Sequence, residues 1–121
     1  CISLSHSFDR VMVALSDQGE VGVDIEHKRQ RPDLSALGDL PSLLIDGKDN
    51  LFFEHWTLME SCAKADGRGI VSTHLSRMKL IGTNRVSFDN KQWFYKKLNI
   101  WPDYAVHICS ESEISSTIQY D

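Results

Sequence analysis

The chain has 121 residues, 41% of them hydrophobic and 25% charged, with a formal net charge of −4. That mixture describes a globular domain with one core and excludes a disordered chain, while the length is too short for two cores. The negative balance argues against general nucleic-acid binding, which calls for a basic face, and no apolar run approaches the length that spans a bilayer. Cys1, Cys62 and Cys109 have no metal-ligand spacing and read as reduced thiols; with no charged-then-apolar leader before the first strand, the expected location is the cytoplasm.

Along the chain, residues 2–6 and 10–16 read as strands, the second because Val11, Val13 and Leu15 alternate with Met12, Ala14 and Ser16. Asp17-Gln18-Gly19-Glu20 is a turn into a strand at 21–26. Pro32, Gly38, Pro41 and Gly47 punctuate residues 31–48, which read as loop with short helical turns around 33–37 and 41–45. Asp49 or Asn50 caps a helix expected over 51–66, with Leu51, Phe52, Leu58, Met59, Cys62 and Ala65 as its apolar contacts and Gly67 as its stop. A helical turn at 70–75 follows, then alternating strands at 77–82, 84–89, 92–97, 104–110 and 115–120. The expected fold is α+β, an antiparallel sheet packed on one main helix, in a single domain.

Chemistry concentrates in two segments. In the strand Val21-Gly22-Val23-Asp24-Ile25-Glu26, alternation puts Asp24 and Glu26 on one face and turns Val23 and Ile25 to the other, toward the core. In Trp56-Thr57-Leu58-Met59-Glu60-Ser61-Cys62-Ala63-Lys64, a spacing of four aligns Trp56, Glu60 and Lys64 on one helical stripe. Should that stripe meet the strand, three carboxylates could hold a hard cation, and a lysine beside them suits a phosphate. The ordinary alternative is two solvated carboxylates on a half-buried strand and a Glu60–Lys64 surface pair; Trp56 reads as core packing. The basic run His27-Lys28-Arg29-Gln30-Arg31 is either a solvated loop or a docking surface for an acidic partner.

Ile2-Ser3-Leu4-Ser5-His6-Ser7, Gly22-Val23-Asp24-Ile25-Glu26 and Trp56-Thr57-x-x-Glu60-Ser61-x-x-Lys64-Ala65-x-Gly67-x-Gly69 stand in the order and spacing of a known family. The chain resembles the 4'-phosphopantetheinyl transferases, specifically the C-terminal half of the surfactin-synthetase-activating type, from Ile2 to about Gly69. The resemblance implies Mg²⁺, or Mn²⁺, held by Asp24, Glu26 and Glu60. It implies coenzyme A as substrate, with His6 and Lys64 on its phosphates, and catalytic roles for Glu60 and Lys64. The implied reaction moves the phosphopantetheine arm to a serine of an acyl or peptidyl carrier protein, mostly by positioning and charge neutralisation.

The chain departs from the family pattern in three places. Met59 stands directly before the helix glutamate, where many relatives have lysine, and residues 27–53 contain no glutamate where the family places a proposed base. Asp33, Asp39, Asp46 or water on the metal are the remaining candidates for that base. The surfactin type is also a longer pseudo-dimer, whereas the holo-acyl-carrier-protein-synthase type has about this length and builds sites between identical subunits, which implies a homo-oligomer here, a dimer or trimer. A degenerate member that only binds coenzyme A or a carrier protein is the alternative.

Overall fold

The computed structural model describes residues 1–28, 49–67 and 77–115. Among the described residues, seven strands and one helix run in the order β1 (Ile2–Ser7), β2 (Arg10–Leu15), β3 (Val21–His27), α1 (Asp49–Asp66), β4 (Met78–Leu80), β5 (Arg85–Phe88), β6 (Lys91–Lys97) and β7 (Tyr104–Ser110). β1 and β2 form an antiparallel hairpin, and the rest form a five-stranded antiparallel sheet in the order β3-β7-β6-β5-β4. One helix packed on an antiparallel sheet is the α+β arrangement the sequence pattern predicts. Among the described residues no helix is long and apolar enough to cross a membrane.

The strands agree with the alternation to within one or two residues at their ends. The helix begins at Asp49, two residues before the expected start. Gly67 follows the helix with φ of 82°, the left-handed conformation that ends it, and its N–H bonds the Lys64 carbonyl at 3.1 Å. The loop at 31–48, the turn at 70–75 and nearly all of the strand at 115–120 lie outside the described residues.

Both faces of β3 are covered. On one face α1 lays Phe52, Phe53, Met59, Cys62, Ala63 and Ala65 against Met78, Val86, Phe88, Trp93, Ala105 and Cys109. Trp56 packs at the margin of this cluster and stacks on Phe52, as its expected packing role requires. On the other face Val21, Val23 and Ile25 pack with Met12, Ala14, Tyr104, Val106 and Ile108 beneath the hairpin. Each such large side chain taken fully from water contributes roughly 1.5–3 kcal/mol. Cys62 and Cys109 are buried and Cys1 exposed, all three free thiols.

The hairpin meets β3 through serines. Ser3, Ser5 and Ser7 share one face of β1, and their hydroxyl oxygens accept hydrogen bonds from Val23 N (3.1 Å), Ile25 N (3.2 Å) and His27 N (2.9 Å). β3 is an edge strand, so these three amides have no sheet partner; the serine row satisfies them and closes the edge.

Candidate functional site

Gly22 sets the distance between β3 and α1. A Cβ at this position would lie 2.1 Å from the Ser61 carbonyl oxygen and 2.6 Å from Ala65 N, so only glycine lets the helix backbone come this close. Two and four residues on, Asp24 and Glu26 occupy the same face of the strand and look toward the helix.

That approach brings Lys64 to Asp24. Lys64 Nζ lies 3.1 Å from Asp24 Oδ1 and donates a second bond, also 3.1 Å, to the Val23 carbonyl. Ser5 Oγ donates to the same Asp24 Oδ1 at 3.1 Å while accepting from Ile25 N, which ties β1 into the cluster. The helix stripe therefore meets the strand as the four-residue spacing requires, but the lysine pairs across to Asp24 where a Glu60 pairing along the helix was the ordinary expectation. Asp24 Oδ2 is buried and finds no hydrogen-bond partner among the described residues.

The carboxylates strain against their surroundings. Burial pushes Asp24 up to about 6, an effect that Lys64 opposes and Glu26 reinforces. Burial pushes Glu60 up to about 8, with the Asp24 charge as the next cause and Glu26 adding to it. Asp24 and Glu26 thus oppose the ionisation of Glu60, and Glu26 that of Asp24, beside the Lys64 ammonium. Among the described residues no three acidic, histidine or cysteine groups converge on one point as placed, so closing these carboxylates on an ion takes side-chain movement.

His6 stands elsewhere. It is exposed and opposite Val11 on the outward face of the hairpin, while its neighbour Ser5 faces inward to Asp24. The structure brings Asp24, Glu26, Glu60 and Lys64 together and sets His6 on the far side of β1. Met59, at the family's lysine position, is buried in the core cluster. Of the basic run, Lys28 pairs with Glu54 at 3.2 Å and His27 stacks on Phe8 with ring centroids 5.0 Å apart; Arg29 to Arg31 lie outside the described residues.

Two neighbours of the cluster carry no motif signal strong enough for sequence reasoning to find. His107 is the β7 partner directly opposite Asp24, and its Nδ1 lies 2.9 Å from Thr57 Oγ1. The Thr57 hydroxyl also lies 2.8 Å from the Phe53 carbonyl and 3.2 Å from the Glu54 carbonyl; with its proton assigned to these helix carbonyls, the Nδ1–H tautomer of His107 donates to Thr57. Burial holds His107 down to about 4, so the imidazole is neutral. Glu54, nearly buried, takes Lys28 and also Lys97 at 3.1 Å. A cleft of about 690 Å³ opens between the hairpin and the β3–β7 end, lined by Ile2, Leu15, Val21 and Ile108 among others, and shares no residue with the carboxylate cluster.

Comparison with known proteins falls on the same group of enzymes that the three motifs suggest. The 4'-phosphopantetheinyl transferase HetI of Nostoc sp. is 33% identical over 78 residues, covering 56% of this chain and 33% of the relative. The similarity is to 4'-phosphopantetheinyl transferases. A Synechocystis sp. protein provisionally named as such a transferase is 31% identical over 78 residues, covering 56% of this chain and 32% of its own length. The matched part of the chain therefore spans about a third of the length of each phosphopantetheinyl transferase. No family model matches the chain.

Proposed function

We propose that this chain carries the metal and phosphate half of a 4'-phosphopantetheinyl transferase and acts in moving phosphopantetheine from coenzyme A to a serine of an acyl or peptidyl carrier protein. The observation that carries this reading is the Asp24–Lys64 contact across β3 and α1, with Glu26 and Glu60 beside it. A buried aspartate with an unpartnered oxygen and two further carboxylates is a donor set for a hard divalent cation. Asp24, Glu26 and Glu60 would hold Mg²⁺, or Mn²⁺, which when bound neutralises pyrophosphate oxygens and polarises the reacting phosphorus.

The protein's own groups do the rest. Lys64, anchored by the Val23 carbonyl and paired with Asp24, would offer its ammonium to a phosphate oxygen of coenzyme A. The serine hydroxyl would attack in line the phosphorus that bears the pantetheine arm, giving its proton to water held beside the carboxylates, while the bond from that phosphorus to the bridging pyrophosphate oxygen breaks and adenosine 3',5'-bisphosphate leaves. His6 serves coenzyme A from the outward face of the hairpin, so a second polypeptide surface opposite that face completes the pocket. A homo-oligomer supplies that surface, and a soluble cytoplasmic protein is the setting the carrier substrates call for.

Intact mass of an apo carrier protein after incubation with this chain, coenzyme A and Mg²⁺ tests the reading. The expected result is a gain of one phosphopantetheine that disappears with Asp24→Ala. A second reading, a binding-only member, is favoured by one observation: Met59 turns into the core, so no side chain from that position reaches a phosphate. Calorimetry separates the two, because that member binds coenzyme A without transferring it, and absence of both overturns the family reading of the site.

A further inference from the structure

We propose that Ser5 is a positioning residue for cation binding: it fixes the Asp24 carboxyl so that Oδ2 is the oxygen offered to the ion. The inference rests on the transferase reading of the carboxylate cluster and deepens it, adding an uncharged residue that is not itself a ligand. Ser5 is then the residue through which β1 reaches the carboxylates.

The donors around Asp24 fall on one of its two oxygens. Ser5 Oγ and Lys64 Nζ each lie 3.1 Å from Oδ1. Oδ2 is buried and has no hydrogen-bond partner among the described residues. A buried carboxylate oxygen with no donor is costly to the fold, and a divalent cation is the group that satisfies it without a proton. Asp24 is only 3% exposed, so it cannot swing outward, and the orientation it holds in the free protein is the one in which it would meet an ion.

Ser5 can set that orientation because its own is set. It is itself buried, and its hydroxyl oxygen accepts from Ile25 N at 3.2 Å, so its single proton goes to Asp24. Two neighbouring residues of β3 thus hold the serine, and the serine holds one of them in turn. Lys64 makes a weaker brace: its side chain is one-third exposed, and its ammonium is shared with the Val23 carbonyl and, in the transferase reading, with phosphate. The hydroxyl is the contact on Oδ1 for which no substrate competes. Closing a strand edge explains the bonds that Ser3, Ser5 and Ser7 make to β3 amides, but not the bond to Asp24, which Ser5 adds. A hydrogen bond that orients a ligating side chain is typically worth about 10- to 100-fold in metal affinity.

Titration with Mn²⁺ alone, read as loss of the free-ion electron paramagnetic resonance signal, tests the assignment. Ser5→Ala is expected to raise the Kd about tenfold or more. Ser3→Ala and Ser7→Ala, which give up the same kind of bond to β3 without touching Asp24, should leave it unchanged. A folded Ser5→Ala protein that binds Mn²⁺ as tightly as the parent overturns the proposal. So do Ser3→Ala and Ser7→Ala variants that lose as much affinity, since the serines would then act through stability alone. If circular dichroism shows that Ser5→Ala does not fold, Ser5→Cys, which fills the space with a weak donor, decides by the same comparison. The transferase reading fails in a different way. An unaltered chain that binds no Mn²⁺ removes the cation site and this proposal with it, whereas binding that Asp24→Ala abolishes and the Ser5 variants leave intact keeps the site and sinks only the role of Ser5.

Discussion

The place a Cβ would take on Gly22 is 2.1 Å from the Ser61 carbonyl oxygen, and the Asp24–Lys64 contact depends on that closeness. Gly22→Ala forces β3 and α1 apart, because the obstacle is helix backbone rather than a side chain that can swing away. The expected cost is at the upper end of overpacking, about 3 kcal/mol or more, read as a lower denaturant midpoint with an unchanged slope. Val21→Ala provides the comparison, a loss of buried methyls with no helix displacement. A Gly22→Ala protein as stable as the parent would show that the helix is not held at this distance.

Much of this was legible in the sequence, for identifiable reasons. Period-two alternation locates the strands, and the Glu60–Lys64 spacing faces them correctly because α1 is long enough for its stripe to be unambiguous. Alternation cannot say which row of a hairpin turns inward: Val11, Val13 and Leu15 look like the buried set, and it is Met12 and Ala14 that are buried or half-buried. The serine ladder carries no sequence signal, because the bonding partners of Ser5 and Ser7 are main-chain amides that no pattern marks. Likewise, His107 stands 83 positions from Asp24 in the chain, from 107 − 24, and only the β3–β7 register puts the two side by side.

The serine ladder makes an ordered prediction. Ser5 is buried and bonds both Ile25 N and Asp24 Oδ1, whereas Ser3 and Ser7 are only half-buried. Ser5→Ala leaves a buried amide without a partner and removes a donor from a buried carboxylate, costing about 1–3 kcal/mol. Ser3→Ala and Ser7→Ala cost less, since water can reach the amides they abandon. Thermal midpoints of the three variants should rank with Ser5→Ala lowest; equal midpoints would mean that the ladder contributes little.

Stability of the metal-free protein should fall as pH rises from about 4.5 to 8. Glu60 rises on folding from 4.5 to about 8 and Asp24 from 3.8 to about 6, so each contributes stability below its ordinary value that is lost as pH climbs through its folded value. His107 has the opposite sign: it drops from 6.5 to about 4, so its contribution is present above 6.5 and lost as pH falls through 4. Between about 4 and 6 Asp24 and His107 offset one another, so the Glu60 loss, which begins near 4.5, sets the decline up to about 8. Mg²⁺ should remove the decline at pH 8 and have little effect at pH 5, where Asp24 and Glu60 hold protons. Thermal melts across pH with and without Mg²⁺ check this; a decline that Mg²⁺ leaves untouched would separate the acidic cluster from cation binding.

The Thr57–His107 bond couples α1 to the strand opposite Asp24, and its loss has a definite signature. Thr57→Val keeps the shape and removes the hydroxyl, leaving His107 Nδ1–H buried without an acceptor at a cost of about 1–3 kcal/mol. Thr57→Ser restores the oxygen and recovers most of that loss, leaving only the missing methyl. His107→Phe in the Thr57→Val background removes both polar partners together. That double variant should therefore be more stable than the Thr57→Val single, because no polar group remains stranded. Denaturation midpoints of the three proteins decide the matter: a double variant no better than the single would mean that the imidazole reaches water or another acceptor, and that this bond does not fix the helix against β7.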